Sequence, residues 1–329
     1  MDTLSGLGQE ASPRRSVFNG TTHYKPHTFT LFPFPLNLGR IGGGVDLTLK
    51  TAIVTDSTSY LPTALMEELD IHMIPLAVAL NGVMYNEEID IRSSEFYDKV
   101  RGDGPLPKTS QPPIGKFIEL FESLKDTYDA VISIHLSSGI SGTFAGAGQA
   151  GKMVEGIEVY TFDSEISCYT QGFYVLRAAE LAKEGATSDV IMAELDDMKK
   201  TMRAYFMVED LTHLQRGGRL SAAQALIGGL LQVKPILHFQ DKVIVPYEKI
   251  RTRKKAMKRI VDMLTEDAAK MPLEAAIIHA NRPEDAEVWH AALSAQLPDV
   301  KFTISHFGPV IGTHLGEASM GLGWVKRRV

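Results

Sequence analysis

The sequence predicts a two-domain α/β protein, and the first half of that prediction comes from alternation along the chain. Short apolar runs rich in β-forming residues occur at 51–55, 72–80, 129–136 and 157–162. Amphipathic segments with helical spacing occur at 113–126 and 169–185. Strands that alternate with helices form a mostly parallel, Rossmann-like sheet that is covered on both faces.

The second half of the prediction comes from a change of pattern near Ala204. The runs at 234–239 and 242–246 are separated only by Gln240 and Asp241, which predicts an antiparallel hairpin. We therefore expect a second α/β domain with a mixed sheet. The expected division of the ordered chain is an N-terminal domain at 49–198 and a C-terminal domain at 199–329.

Residues 1–48 differ in composition from the rest of the chain. They show no sustained helical or alternating period, and their most apolar stretch is interrupted by Pro33 and Pro35. That stretch is too short to span a bilayer and lacks the pattern of a secretory signal peptide. We expect a disordered leader, which is either a flexible tail or the result of an over-long gene start.

The composition, with 44% hydrophobic and 22% charged residues among 329, is that of a globular protein. A net charge of −6 gives no general attraction to nucleic acid or to anionic membranes. The single Cys168 excludes an intramolecular disulfide and a multi-cysteine zinc site, and it fits a cytoplasmic location. The histidines show no metal-ligand spacing, so we expect no bound metal.

A cluster of hydroxylic residues and glycines follows the run at 129–136. Residues 137–143 read SSGISGT. Hydroxyls and free N–H groups at a strand-to-helix junction suit an anion, although the same residues also serve as ordinary helix caps. A nucleophilic role for Ser141 is a rival interpretation, but G-x-S-G is not the G-x-S-x-G elbow of hydrolases.

Residues 146–152 match two nucleotide-binding patterns in letters only. The G-x-G-x-x-G fingerprint must follow a strand directly, and here about ten residues intervene. A Walker A loop needs Ser or Thr after its lysine, and this chain has Met153 after Lys152. These small residues are better explained by close packing of a helix against the sheet.

Three further segments carry candidate binding residues. KTSQPP (108–113) predicts that Thr109 and Ser110 precede a proline-started helix. Arg219 follows a Gly-Gly turn, where it would bind a phosphate or carboxylate or form a structural ion pair. His314 lies among glycines in a predicted loop, where it would complete a carboxylate site or serve a structural role.

The segment KIRTRKKAMKRI (249–260) carries seven basic residues in an otherwise acidic chain. It is either a solvated helix face or a docking surface for an acidic or phosphate-bearing partner. Interleaved aromatic residues and a groove-reading pattern are missing, so we expect no nucleic-acid partner.

Eight segments, taken in order, resemble the DegV family, and especially its fatty-acid-binding subunits of bacterial fatty-acid kinase. The resemblance extends over about 51–328. The segments are IVTDSTSYLP, IPLAVALNG, KTSQPPIGKF, SIHLSSGISGTF, QRGGRLS, KPIL, IRTRKKA and PVIGTHLG.

The resemblance implies a two-domain DegV-like fold that buries one long-chain fatty acid between the domains, with the carboxylate at the mouth. It implies carboxylate binding by Thr109, Ser141 and His314. Residues expected near the site are Ser110, Ser138, Gly142 and Arg219, and Arg251 is expected to contact a kinase. The partner kinase would supply ATP and magnesium and form the acyl-phosphate, so this chain would carry neither a cofactor nor a catalytic residue.

The chemistry of the implied site is reasonable. Burying a carboxylate without partners costs several kcal/mol, and two hydroxyls with an imidazole supply charge-assisted hydrogen bonds. About 0.8 kcal/mol per buried methylene gives on the order of 10 kcal/mol for about sixteen carbons, before ordering costs. We expect 74–80, 226–232 and several methionines either to line the acyl tunnel or to belong to the ordinary core.

Two points stay open in the sequence. The family often has G-P-G after the motif histidine, whereas this chain has Gly316-Glu317-Ala318, which adds an acidic residue near the predicted mouth. The alternatives to a carrier are an autonomous enzyme, either a Ser141 hydrolase or a phosphotransferase, and a lipid sensor or transporter that works without a kinase.

Overall fold

The computed structural model describes residues 50–101, 105–220 and 235–328. The predicted leader and the segment 226–232 lie outside the described residues. The strands are β1 (Thr51–Asp56), β2 (Ile71–Ile74), β3 (Ala77–Leu80), β4 (Val83–Asn86), β5 (Lys108–Ser110), β6 (Ala130–His135), β7 (Glu158–Asp163), β8 (Arg203–Met207), β9 (Ile236–Gln240), β10 (Val243–Glu248), β11 (Leu273–His279), β12 (Lys301–His306) and β13 (Met320–Lys326).

A 3-10 turn spans Ser57–Ser59. The helices are α1 (Thr63–Glu68), α2 (Ser93–Val100), α3 (Ile114–Leu124), α4 (Thr143–Gly151), α5 (Tyr169–Lys183), α6 (Ser188–Lys199), α7 (Thr212–Arg216), α8 (Arg253–Ala268), α9 (Pro283–Gln296) and α10 (Pro309–Leu315). In the described ranges, every helix is too short or too polar to cross a membrane.

The predicted parallel sheet is confirmed, with the strand order β2-β1-β6-β7. All residues of β1 and β6 are buried, as expected for parallel strands that are covered on both faces. Their side chains alternate between two cores. Val54 and Val131 belong to the core under α3 and α4, and Ile53 and Ile132 belong to the core on the opposite face.

The predicted mixed sheet is also confirmed, with the order β10-β9-β8-β13-β11-β12. The pair β11–β12 is parallel and the other pairs are antiparallel. The β9–β10 hairpin turns at Asp241 and Lys242, whose φ angles of 49° and 71° are those of a type I′ turn. The predicted domain boundary at 198 and 199 stays a prediction.

A third sheet, of order β4-β3-β5, was not foreseen. The run at 72–80 is two strands rather than one, because Pro75 lacks the N–H group that a continuing ladder needs. The segment expected to precede the helix is itself partly strand, since Thr109 of β5 pairs with Val78 of β3. Thr109 and Ser110 therefore do precede the helix α3, as predicted, but they lie in a strand and do not cap the helix, whose N-cap residue is Pro113.

The loop predicted around His314 is a helix, α10. Pro309 stands in the first turn, and Gly316, with φ of 77°, ends the helix. Gly312 serves close packing, because a Cβ atom there would lie 2.4 Å from Tyr97 Oη. Gly312 is therefore required by close packing of a helix and not by the flexibility of a loop. For this reason the glycines around His314 led to the wrong prediction of a loop.

Helix α5 lies between the two large sheets, packed against β1 and β6 on one side and β11 and β13 on the other. Ten of its fifteen residues are buried, so most of its surface belongs to the core, and only a narrow stripe that includes Arg177, Glu180 and Lys183 reaches solvent. The helix approaches β13 closely at Gly323, where a Cβ atom would lie 2.1 Å from Thr170 Cγ2.

We expect Gly323→Ala to lower the free energy of unfolding by about 1–3 kcal/mol, because the added methyl overpacks a tight contact. Gly115→Ala in α3 is the matched control, since no atom lies within 4 Å of its Cβ position. The control should be neutral or stabilising by at most about 1 kcal/mol. Urea denaturation measures both changes, and wild-type stability for Gly323→Ala would contradict the close packing of α5 on β13.

Candidate functional site

A cavity of about 290 Å³ lies between the parallel and the mixed sheet. Most of its wall is apolar, and the wall comes from both halves of the chain. The apolar lining residues are Leu76, Leu136, Ile140, Cys168, Ala204, Phe206, Phe239, Ile244, Ile278, Phe307, Val310, Ile311, Leu315 and Leu322, with Gly321 and Gly323 between them. A wall of this composition suits an apolar ligand.

A polar cluster interrupts this wall. Its members are Thr109, Ser110, Gln111, Ser141, Gly142, Arg219 and His314. At its centre Thr109 Oγ1 lies 2.9 Å from His314 Nε2, a hydrogen bond between residues 205 positions apart. The structure therefore brings together Thr109, Ser141 and His314, which the sequence motifs had singled out, on one cavity.

Secondary structure explains how the two bonded side chains meet. The pairing of β5 with β3 fixes the backbone of Thr109, and α10 carries His314 near its C-terminal end. Helix α10 packs against both β3 and β5. Neither side chain depends on a loop for its position.

The imidazole of His314 is neutral at pH 7. Burial lowers its pKa to about 4, with smaller contributions from the positive charge of Arg219 and from His213. Its Nδ1 atom is buried and has no hydrogen-bond partner within the described part of the chain. Gly217 makes this burial possible, because a Cβ atom there would lie 2.3 Å from Nδ1.

Ser141 stands just before α4 in the loop that follows β6. Its hydroxyl lies 2.8 Å from Thr143 Oγ1 and 3.3 Å from the Thr143 backbone N–H, which donates to it. Gly142 is the N-cap residue of α4. The hydroxyl of Ser141 thus lies on the cavity wall just before a helix of nine residues, where the buried Thr143 holds it.

Two residues expected near the site, Ser138 and Arg219, form hydrogen bonds with other parts of the chain. Ser138 is not among the cavity-lining residues, since its hydroxyl donates to Asp163 Oδ2 at 2.5 Å. Arg219 does line the cavity, but its guanidinium donates to the carbonyls of Ile140 at 3.1 Å and Gly217 at 2.6 Å. Arg219 therefore supports the backbone next to Ser141 from the other half of the chain.

The turn of the β9–β10 hairpin makes a second contact with the loop of Ser141. Ser137 Oγ donates to the Lys242 carbonyl at 2.6 Å, and Lys242 Nζ lies 3.0 Å from Asp163 Oδ2. A Cβ atom on Gly139 would lie 2.3 Å from the same carbonyl oxygen. The loop is thus held by parts of the chain that follow it by about a hundred residues.

Two other residues from the motifs lie away from the cavity lining. Glu317 forms an ion pair with Arg101 at 2.6 Å and accepts a hydrogen bond from Asn281 at 2.7 Å, so it joins the end of α10 to the end of α2. Arg251 is exposed just before α8.

Sequence reasoning missed several lining residues. Gln111 was inside the KTSQPP motif but was not singled out, and its side chain packs against Gly142. The sequence did not indicate that Phe206 and Phe307 line a cavity, because apolar residues in or near strands follow the same pattern in a cavity wall and in a core. Of residues 74–80 only Leu76 lines the cavity, and no methionine of the described ranges does.

An α/β fold with a mostly apolar cavity and a polar cluster on its wall defines a candidate small-molecule-binding protein. A profile of the DegV family, described as an uncharacterised protein family, matches residues 50–327. The chain belongs to the DegV family.

Relatives match over nearly their whole length. Protein DegV of Bacillus subtilis is 60% identical over 278 residues, which are 84% of this chain and 99% of that protein. The crystal structure of B. subtilis DegV, described as a fatty acid binding protein, has a TM-score of 0.82 at 59% identity and covers 85% of this chain and 100% of that one. A DegV family protein from Thermus thermophilus, described by its fatty acid binding, has a TM-score of 0.79 at 31% identity over the same shares.

These structures support fatty acid binding by DegV family proteins, and the α/β architecture with its parallel and mixed sheets is the DegV fold.

We expect the pH dependence of stability to report the burial of His314. Its pKa is about 4 in the folded protein and 6.5 in an unperturbed chain, so the unfolded chain binds more protons between these values. Stability should therefore fall as the pH drops from 7 to 4, by up to about 3 kcal/mol from this residue. His314→Gln should reduce the difference in unfolding free energy between pH 7 and pH 4, measured by urea denaturation. An unchanged difference would argue against a buried neutral imidazole.

Proposed function

We propose that this protein binds one long-chain fatty acid in its central cavity and presents the carboxylate to a partner kinase, which phosphorylates it to an acyl-phosphate. The observation that carries the proposal is the hydrogen bond between Thr109 and His314 on the wall of an otherwise apolar cavity. Family membership and the fatty-acid-binding relatives support the choice of ligand.

The polar cluster has the groups that a carboxylate needs. The hydroxyls of Thr109 and Ser141 can donate, and the neutral imidazole of His314 donates from whichever nitrogen carries its proton. A bound carboxylate favours the protonated imidazole, so binding would raise the pKa of His314 above its value of about 4. The carboxylate would then receive charge-assisted hydrogen bonds in a site largely shielded from water.

The apolar wall supplies most of the affinity in this proposal. At about 0.8 kcal/mol per buried methylene, the acyl chain outweighs the head group. The polar cluster then determines orientation, because leaving Thr109 and His314 against methylene groups would cost their hydrogen bonds to the ligand. The acid therefore enters with its chain inward and its carboxylate at the polar cluster.

Contacts at Ser141 disfavour the hydrolase alternative. A serine nucleophile needs a base within hydrogen-bonding reach. In the described part of the chain Ser141 Oγ is bonded to Thr143, while His314 Nε2 is bonded to Thr109. Ser141 is therefore not bonded to the imidazole that would have to act as its base, whereas a carrier function needs no such base.

Within the basic segment 249–260, only some of the basic residues form a small surface that suits the kinase contact. Arg253, Lys258 and Arg259 are neutralised by acidic neighbours. The remaining basic residues, Lys249, Arg251, Lys254 and Lys255, are exposed and form no ion pair with the described residues. In the proposal this surface attracts an acidic face of the kinase, and the kinase supplies ATP and magnesium.

The first test is binding. Native mass spectrometry of the purified protein, followed by lipid extraction, should find one fatty acid per chain. Thr109→Val keeps the side-chain shape and removes the hydroxyl, so the Kd for palmitate measured by calorimetry should rise by about tenfold. Thr265→Val on α8 is the matched control and should leave the Kd unchanged. Failure of the wild-type protein to bind any fatty acid would refute the proposal.

The second test separates binding from presentation. Arg251→Ala should leave the Kd for palmitate unchanged and should slow acyl-phosphate formation by the fatty-acid kinase catalytic subunit about tenfold at limiting kinase, since close charge pairs across an interface contribute this much. Lys258→Ala, which removes a neutralised charge on the adjacent helix α8, should change neither quantity. Equal rates for Arg251→Ala and wild type would exclude this surface as the kinase contact.

A further inference from the structure

A buried carboxylate outside the cavity lining, Glu87, holds the first turn of the helix that carries His314. Glu87 follows β4 and has no exposed surface. Its Oε1 accepts hydrogen bonds from Tyr60 Oη at 2.9 Å and from the backbone N–H of Val310 at 2.6 Å. Val310 lies 223 residues further along the chain, so this contact joins two remote segments.

The neighbours of Glu87 are arranged so that their protons point at the carboxylate. Ser57 Oγ accepts from the Leu76 N–H at 3.0 Å and donates to Glu87 Oε2 at 2.6 Å. Tyr60 Oη accepts from the Ile311 N–H at 3.3 Å and donates to Glu87 Oε1. Two N–H groups in the first turn of α10, which have no partner inside the helix, are thus satisfied by the Glu87–Tyr60 pair.

Glu87 also contacts the sheet that carries Thr109. Its backbone N–H donates to the Leu76 carbonyl at 2.9 Å, directly before β3. Strand β3 pairs with β5, where Val78 lies opposite Thr109. One residue therefore binds both the strand system of Thr109 and the helix of His314.

The contact of Glu87 with the first turn of α10 also affects the position of the His314 imidazole, because both are on the same short helix. Val310 and His314 are four residues apart, on the same face and about 6 Å apart along the helix axis. The helix has only seven residues, so its first turn is not independent of its last. A shift of the first turn by several tenths of an ångström would lengthen the 2.9 Å contact between His314 and Thr109 beyond good hydrogen-bond geometry.

We infer that Glu87 is a positioning residue for the carboxylate site, which sets α10 against the β3–β5 pair so that His314 and Thr109 meet. Its importance for ligand binding rests on the function proposed above. Its effect on the protein alone does not, because the hydrogen bonds of Glu87 to Val310 and Leu76 join α10 and the strand system within the chain itself.

An uncharged acceptor can replace the carboxylate in this role. Burial raises the pKa of Glu87 to about 8, and the hydrogen bonds from Ser57, Val310 and Tyr60 act in the opposite direction. A proton on Oε2 leaves Oε1 free to accept from Val310 and Tyr60, while Ser57 Oγ then accepts from Oε2 instead of donating to it, so the contact with α10 holds in either charge state. The amide oxygen of glutamine offers the same acceptor.

The experiment compares Glu87→Gln with Glu87→Met, which has a similar length but no oxygen. Ile191→Val, a core substitution in α6 outside the cavity lining, controls for lost stability. Two quantities are measured on folded protein: the pKa of His314 by NMR in lipid-free samples, and the Kd for palmitate.

Glu87→Met is expected to raise the pKa of His314 by at least about one unit, since a loosened helix exposes the imidazole to water. The Kd should rise about tenfold, because Val310 loses its acceptor and the polar cluster spreads. Glu87→Gln should keep the wild-type pKa of His314 and a Kd within about threefold of wild type. Ile191→Val should change neither quantity.

Three results would overturn the inference. The first is a pKa of His314 in Glu87→Met that equals the wild-type value. The second is an equal change in the pKa of His314 and in the Kd for Glu87→Gln and Glu87→Met, and the third is a change in Ile191→Val as large as that in Glu87→Met.

If Glu87→Met does not fold, Tyr60→Phe replaces it, because it removes one hydrogen bond to Glu87 and one from Ile311. It should shift the pKa in the same direction by less, and a wild-type value would be equally damaging. If wild-type protein binds no palmitate, the proposed function fails, and the pKa of His314 alone decides the role of Glu87.

Discussion

The hydrogen bond between Thr109 and His314 places a strict demand on the fold. Two polar atoms are withdrawn from water beside an apolar cavity, and such atoms are costly unless each finds a partner. They come from a strand and a helix 205 residues apart, so no local segment can form the pair. The arrangement exists only when the three-stranded sheet and α10 are held in register. Much of the surrounding structure can be understood as the means of holding them.

Hydrogen bonds and one exposed ion pair hold the elements that carry the site. Glu87 binds the start of α10, and the Arg101–Glu317 ion pair joins its end to α2. The loop of Ser141 is held by Arg219 and by the turn at Lys242, both from the second half of the chain. The contacts of Glu87, Arg219 and Lys242 pair a side chain with a backbone carbonyl or N–H group, so they fix the path of the chain, whereas the Arg101–Glu317 pair joins two side chains. Supports of this kind leave the hydroxyls and the imidazole free for a ligand, and they make the cavity dependent on contact between the two sheets.

The candidate site was partly predictable because hydroxyls before predicted helices and a histidine among glycines attract attention in a sequence. These patterns singled out Thr109, Ser141 and His314, the resemblance to the DegV family assigned them to one site, and all three lie on the cavity. Ser138 belongs to the same motif as Ser141, but its hydroxyl donates a hydrogen bond to Asp163. Nothing in the sequence indicates this partner. Apolar wall residues such as Phe206 were not predictable, because lining a cavity and filling a core require the same side chains. Glu87 was missed as well, since an acidic residue after a strand is usually exposed.

The sequence alone determined the class of fold, because the alternation of strands and helices follows from local periodicity and fixes a parallel sheet followed by a mixed one. It also determined which polar motifs were candidates for binding, through residue types that favour oxygen anions. Only the tertiary structure decided that KTSQPP begins as a strand, that the glycines around His314 belong to a crowded helix, and that Arg219 binds backbone carbonyls. These outcomes depend on neighbours more than a hundred residues away in some cases, such as Tyr97 against Gly312. Local propensity carries no information about such neighbours, because it reflects only the conformations available to each short segment.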